Sequence, residues 1–310
     1  KMLDEFFSPR LFPQLLSVVL FMGYAGAMTA TVPLQMATNA WGWRTPLLAL
    51  GILSCLAYAV ALLLRRRGWK DAPRTFVFDW SIVGKVLFNW RAYPVLLCNP
   101  INFSIYFLLQ GNIGKKMLED CCGIPAVSGA GTICIMLFTA MIGTFLAGFA
   151  PRYMDNRRKP LAIASTIITL ATVAALYCGL QSGATAGYFL GCFVGLAVSI
   201  SSVPAMVSLL KESSPREGVA IAVGLINGMS YLAVAILCSV AGFILDCYRE
   251  SAVVTAERVI YPMEAYRGVF VVLFGMAIVS CVLAWLIRET RGEHIYRHPD
   301  NTPVADEFPE

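Results

Sequence analysis

"PRYMDNRRKP", residues 151–160, sets four cations and a single carboxylate, Asp155, between two long apolar runs. Upstream stands "SGAGTICIMLFTAMIGTFLAGFA" (128–150), downstream "LAIASTIITLATVAALYCGL" (161–180). A bilayer core of about 30 Å takes roughly 20 apolar helical residues to cross. The decapeptide therefore reads as a short, charged connection between two membrane-crossing helices.

The rest of the chain follows the same plan. Apolar residues make up 58% and charged ones 14%, against about 25% charged in an ordinary soluble protein. Eight spans are expected, at 11–38, 45–64, 92–112, 126–150, 160–182, 186–210, 218–246 and 266–287. Most have no polar face at helical spacing, so a soluble bundle is excluded and an all-α polytopic membrane protein remains. The first run is too long for a signal peptide and is followed by Arg44 instead of a small-residue cleavage site. The chain opens on Lys1 with "KMLDEFFSPR", which reads as the interior of a longer protein.

Lys and Arg favour cytoplasmic connections. With the N-terminal end inside, eighteen fall in inside segments and six outside, so both ends of this chain and the 151–160 turn are expected in the cytoplasm. The longest inside connection, 65–91, interleaves Trp69, Phe76, Trp80, Phe88 and Trp90 with Asp79 and Lys85, which suits an interfacial helix at headgroup level. A nucleic-acid partner is not expected. Seven of the ten cysteines lie inside spans as small apolar packers. Cys121, Cys122 and Cys247 share one side, where a bridge among them stays open. No span holds a His and no Cys-x-x-Cys occurs, so neither a metal site nor a cofactor is expected.

Two stretches repeat. "SPRLFPQLLSVVLFMGYAG" from Ser8 parallels "SPREGVAIAVGLINGMSY" from Ser214. "GWRTPLLALGILSCLAYAVALLLRRR" from Gly42 parallels "AYRGVFVVLFGMAIVSCVLAWLIRET" from Ala265. Their order and orientation match, which points to a duplicated helix pair.

Parallel six-helix repeats are the plan of the major facilitator transporters, and this chain resembles that superfamily. Its charged loop pattern is Gly-x-x-x-Asp-(Arg/Lys)-x-Gly-(Arg/Lys)-(Arg/Lys). Asp155 and Lys159 take the Asp and first terminal basic positions, whereas Pro151, Asn156 and Arg158 depart from it. The resemblance implies that residues 1–64 hold the last two helices of an N-terminal half and 65–91 the inter-half loop. Residues 92–288 would form a complete six-helix C-terminal half and 289–310 a disordered tail, with the first four helices missing. It also implies a gating role for Asp155, Arg158 and Lys159, and a solute site at the midplane.

One-sided polar stripes nominate that site. Asn99, Asn102, Tyr106 and Gln110 share a face of the third span, Tyr24 and Gln35 a face of the first, and Asn227 and Tyr231 lie on the seventh. Each is also read as an interhelical hydrogen-bonding residue. No charged side chain lies deep in a span, which favours a neutral or zwitterionic small-molecule solute. "TVPLQMA" stands where many drug–proton antiporters carry Gly-Pro-x-x-Gly-Gly. The expected function is secondary active transport by alternating access, as uptake or exchange, with a proton or sodium open as coupling ion. The expected setting is a monomer in a plasma membrane of bacterial inner-membrane type. The other reading is a transporter-like sensor that binds without transporting. An intramembrane enzyme is not expected, since His294 and His298 both lie in the tail.

Overall fold

The computed structural model describes residues 11–29, 32–68, 80–124, 126–254 and 259–296. The helices are α1 (Phe12–Thr29), α2 (Val32–Trp41), α3 (Arg44–Gly68), α4 (Trp80–Leu87), α5 (Tyr93–Leu108), α6 (Gly114–Cys122) and α7 (Ala126–Tyr153). They continue as α8 (Lys159–Ser182), α9 (Ala186–Ile200), α10 (Val203–Ser213), α11 (Val219–Cys247) and α12 (Met263–Leu286). A two-residue antiparallel pair, β1 (Val253–Val254) with β2 (Val259–Ile260), precedes α12.

Long uncharged runs form helices because, in hydrocarbon, only a helix or a closed barrel satisfies its own backbone. Local residues fix the ends. Pro94, Pro160 and Pro204 sit in the first turns of α5, α8 and α10, where the missing N–H costs nothing. Gly123 and Gly183 close α6 and α8 in the left-handed region, both at φ 62°, as helix-ending glycines do.

Seven stretches among the described residues are long and apolar enough to cross a membrane. The expected span 92–112 is not one of them as a single helix. Its α5 has 16 residues and passes through a π-helical turn, Leu109–Ile113, into α6. A Cβ on Gly114 would collide with the Leu109 carbonyl oxygen and lie 2.8 Å from the Phe193 ring, so a glycine sits where the helix is bulged. The expected span 186–210 is broken at Ser201–Ser202 into α9 and α10. Pro204 supplies the reason, because it cannot donate back to Ile200. The expected span 11–38 likewise holds two helices, α1 and α2, with Ala30 and Thr31 outside the described residues.

The chain divides into two compact units, one of them Met22–Trp80 and the other the remainder. In the larger unit, α5 packs on α11 and α12, α12 on α8, α8 on α9, and α9 on α7. One core cluster gathers Val86, Leu96, Met206, Leu209, Ile226 and Ile287 from four helices and the end of α12. Ser17 of α1 is fully buried, and a Cβ on Gly148 of α7 would strike its hydroxyl. Phe21 and Phe145 extend this contact at 5.4 Å between ring centroids.

Candidate functional site

The turn 151–158 is built by its own residues. Asp155 and Asn156 take φ of 50° and 56°, the left-handed region that Asp and Asn enter more readily than other side-chain-bearing residues. Asn156 donates its N–H to the Pro151 carbonyl at 2.8 Å and so closes α7. The reversal delivers Arg158 to the start of α8, where its side chain is 0% exposed.

Two acids from distant helix ends receive it. The Arg158 guanidinium donates through Nη1 to Glu212 Oε2 in a buried ion pair. Thr290 donates its hydroxyl to the same oxygen. Glu289 accepts the backbone N–H groups of Arg158 at 3.0 and 3.1 Å and of Lys159 at 2.9 Å. A carboxylate there meets the orphan donors and the positive end of the α8 dipole. Burial raises the Glu289 pKa, but the N–H groups of Arg158, Arg291, Lys159 and Thr290 outweigh it and hold the carboxyl below the usual carboxylate range. Lys159 Nζ donates to the Trp285 carbonyl at 2.7 Å. Arg158 and Lys159 thereby join the start of α8 to the ends of α10 and α12.

Asp155 does not enter this network. It is exposed and has no hydrogen bond or ion pair to any described residue. The left-handed turn that brings Arg158 inward leaves Asp155 on the surface.

Residues 289–296, expected as the start of a disordered tail, close the network. Ile295 donates its N–H to the Glu212 carbonyl at 2.9 Å, and His294 Nε2 lies 2.7 Å from the Ser214 carbonyl oxygen. These contacts satisfy carbonyls that the end of α10 leaves open, and that is why a polar segment settles here. Residues 297–310, with His298, lie outside the described residues.

The polar stripe of α5 is buried in helix packing. Asn99, Asn102 and Tyr106 are 7%, 6% and 3% exposed. Asn99 donates to Ser230 Oγ of α11 at 3.3 Å, and Asn102 Oδ1 has no hydrogen-bond partner among the described residues. Gln110 lies in the π turn, half-buried. Asn227 and Tyr231, one turn apart on α11, are exposed. Tyr231 meets Phe103 and Phe107 of α5 edge-on, with centroids at 5.5 and 6.3 Å. In the other unit, Tyr24 is half-buried on α1; Gln35 belongs to α2, and its side chain lies outside the described residues. That unit holds an apolar cavity of about 520 Å³, lined by Gly26, Pro33, Leu34, Trp41, Pro46 and Leu50 among others.

Glu212, Glu289 and Thr290 were not nominated from the sequence. One signal was available: Glu212 stands two residues before the repeated Ser-Pro-Arg. Cys121, Cys122 and Cys247 are free thiols.

Residues 1–238 match the model of the Major Facilitator Superfamily. No curated protein matches the chain. Among solved structures, it resembles the crystal structure of a bacterial homologue of the iron transporter ferroportin in an outward-facing state. The TM-score is 0.70 at 15% identity, over 91% of this chain and 65% of that one. The likeness is one of fold, and this chain spans about two thirds of that chain's length.

Proposed function

Because the chain belongs to the Major Facilitator Superfamily, a family of membrane transporters, we propose that it is a secondary transporter of a small polar solute. It works by alternating access, as uptake or exchange. The exposed face shared by α5 and α11 supports this reading most, with Tyr231 set among Phe103 and Phe107 and Asn227 one turn away. An Asn against hydrocarbon is costly unless it is paired, and aromatic rings with a polar tip suit a face that is part apolar and part wet. Such a face fits a solute path. Asn99, Asn102, Tyr106 and Gln110 line the path when α5 and α11 part.

The described mid-helix residues of α5, α7, α8, α9 and α11 carry no charge, which suits a neutral or zwitterionic solute. In this reading α5, the π turn and α6 make one crossing, residues 93–122, and the chain crosses the membrane eight times. The end that carries Arg158 faces the cytoplasm, in keeping with its basic residues. Arg158 and Lys159 act there as a gate, because the end of α10 moves only when Arg158 releases Glu212. Asp155 contributes once it meets a partner in another conformation. The membrane is a plasma membrane of bacterial inner-membrane type.

Uptake of labelled sugars, amino acids and nucleosides by the full-length protein in proteoliposomes tests the proposal. An imposed proton or sodium gradient reads the coupling ion. Saturable binding with no flux under any gradient supports a sensor instead.

A further inference from the structure

The turn between α4 and α5 presents a second surface, and its assignment does not depend on transport. One side of the turn is fastened to the bundle. Val86 and Ala92 are each 1% exposed. Asn89 donates its amide to the Ser213 carbonyl at 2.6 Å, and Tyr93 donates its hydroxyl to the Leu87 carbonyl at 2.7 Å. The opposite side is bare. Phe88 is 87% exposed and Trp90 75%, on a turn held rigid by the contacts just named. Lys85 and Arg91 stand among them, and the Arg91 guanidinium lies 5.9 Å from the Trp90 ring centroid. No acid occurs between residues 80 and 118, so the turn itself carries only positive charge.

Rings this exposed are unfavourable in water, yet aromatic side chains beside cations are at home where acyl chains meet headgroups. Free phosphate would satisfy the cations and leave both rings in water. A phospholipid satisfies both. We infer that residues 85–93 form a docking surface for anionic phospholipid, with Phe88 and Trp90 at the headgroup–acyl boundary and Lys85 and Arg91 on the phosphates. Through Asn89 the same turn caps the last residue of α10, next to Glu212, so bound lipid bears on the Arg158 network.

Fluorescence quenching of the full-length protein in vesicles tests this. Brominated chains are placed either on phosphatidylglycerol or on phosphatidylcholine, at equal bromine content in otherwise identical mixtures. Subtracting the Trp90→Phe variant isolates the signal of Trp90. Brominated phosphatidylglycerol is expected to be preferred about fivefold for each engaged cation, following the attraction of single basic residues to anionic membranes. Joint replacement Lys85→Gln and Arg91→Gln removes the preference, and Arg91→Lys keeps most of it. The Trp90 signal with Lys85 and Arg91 both in place decides without the charge variants. Equal quenching by the two lipids overturns the anionic assignment. Absence of quenching by either means that protein covers Trp90, and overturns the surface itself.

Discussion

Arg158 and Glu212 lie 54 residues apart in the chain and share one buried ion pair between the start of α8 and the end of α10. Arg158 is 0% exposed and Glu212 3%. Thr290 adds a hydrogen bond to the same carboxylate oxygen. Taking either charge away strands the other.

Glu212→Gln therefore destabilises the protein by about 3–5 kcal/mol, the usual cost of removing one member of a buried pair. The fall is read as a lower thermal midpoint in detergent. Replacing Arg158 and Glu212 together by Met restores most of it, because Arg158 Nε and Nη2 already lack hydrogen-bond partners among the described residues. A double variant as unstable as the single one contradicts this account of the pair.

Glu289 gives an acid limb to stability. Its folded pKa lies below the ordinary carboxylate value, which is about 4.3 for Glu in the unfolded chain. The unfolded state thus takes up a proton first as pH falls. The contribution of Glu289 is complete above the unfolded value and is lost as pH drops through the folded one. Thermal midpoints measured from neutral pH downward should fall in that window for the wild type and less steeply for Glu289→Gln. Parallel curves contradict the assignment.

Much of this could be read in the residues themselves. Apolar runs separated by charge located the helices, and the turn at 151–160 put Arg158 and Lys159 at a helix start. Periodicity also grouped Asn99, Asn102 and Tyr106 correctly on one face. A repeat of 3.6 residues reports a shared face and not what covers it, so packing and cavity lining looked alike. Glu212 and Glu289 escaped because their partners lie 54 and 131 residues away, and spacing along the chain carries no trace of such contacts. Residues 289–296 looked like a free tail for the same reason: their value lies in carbonyls at the end of α10 that composition does not reveal.

Gly114 tests the bulge between α5 and α6. Gly114→Ala puts a methyl group against the Leu109 carbonyl and the Phe193 ring, an overpacking that costs about 1–3 kcal/mol. Gly228→Ala on α11 meets nothing within 4 Å and should be neutral or slightly stabilising. Yield of monodisperse protein and thermal midpoint measure both. Equal behaviour of the two variants contradicts the π turn.

The two kinds of polar residue separate under substitution. Asn99→Ala removes the hydrogen bond to Ser230 and leaves a buried hydroxyl that keeps only its Ile226 carbonyl partner, at a cost of about 1 kcal/mol in stability. Asn227→Ala, on the exposed face, leaves the thermal midpoint unchanged and raises the KM of uptake. A lower thermal midpoint with an unchanged KM for Asn227→Ala would take Asn227 off the solute path.

Flux through the full-length protein in proteoliposomes, measured beside binding of the same solute, tests gated transport itself. The account predicts saturable, gradient-driven uptake by the wild type. It also predicts that a folded Arg158→Met, Glu212→Met double variant keeps solute binding and changes its rate of transport. Unchanged flux in that double variant, or solute binding by the wild type with no flux at all, would contradict a carrier gated by these two residues.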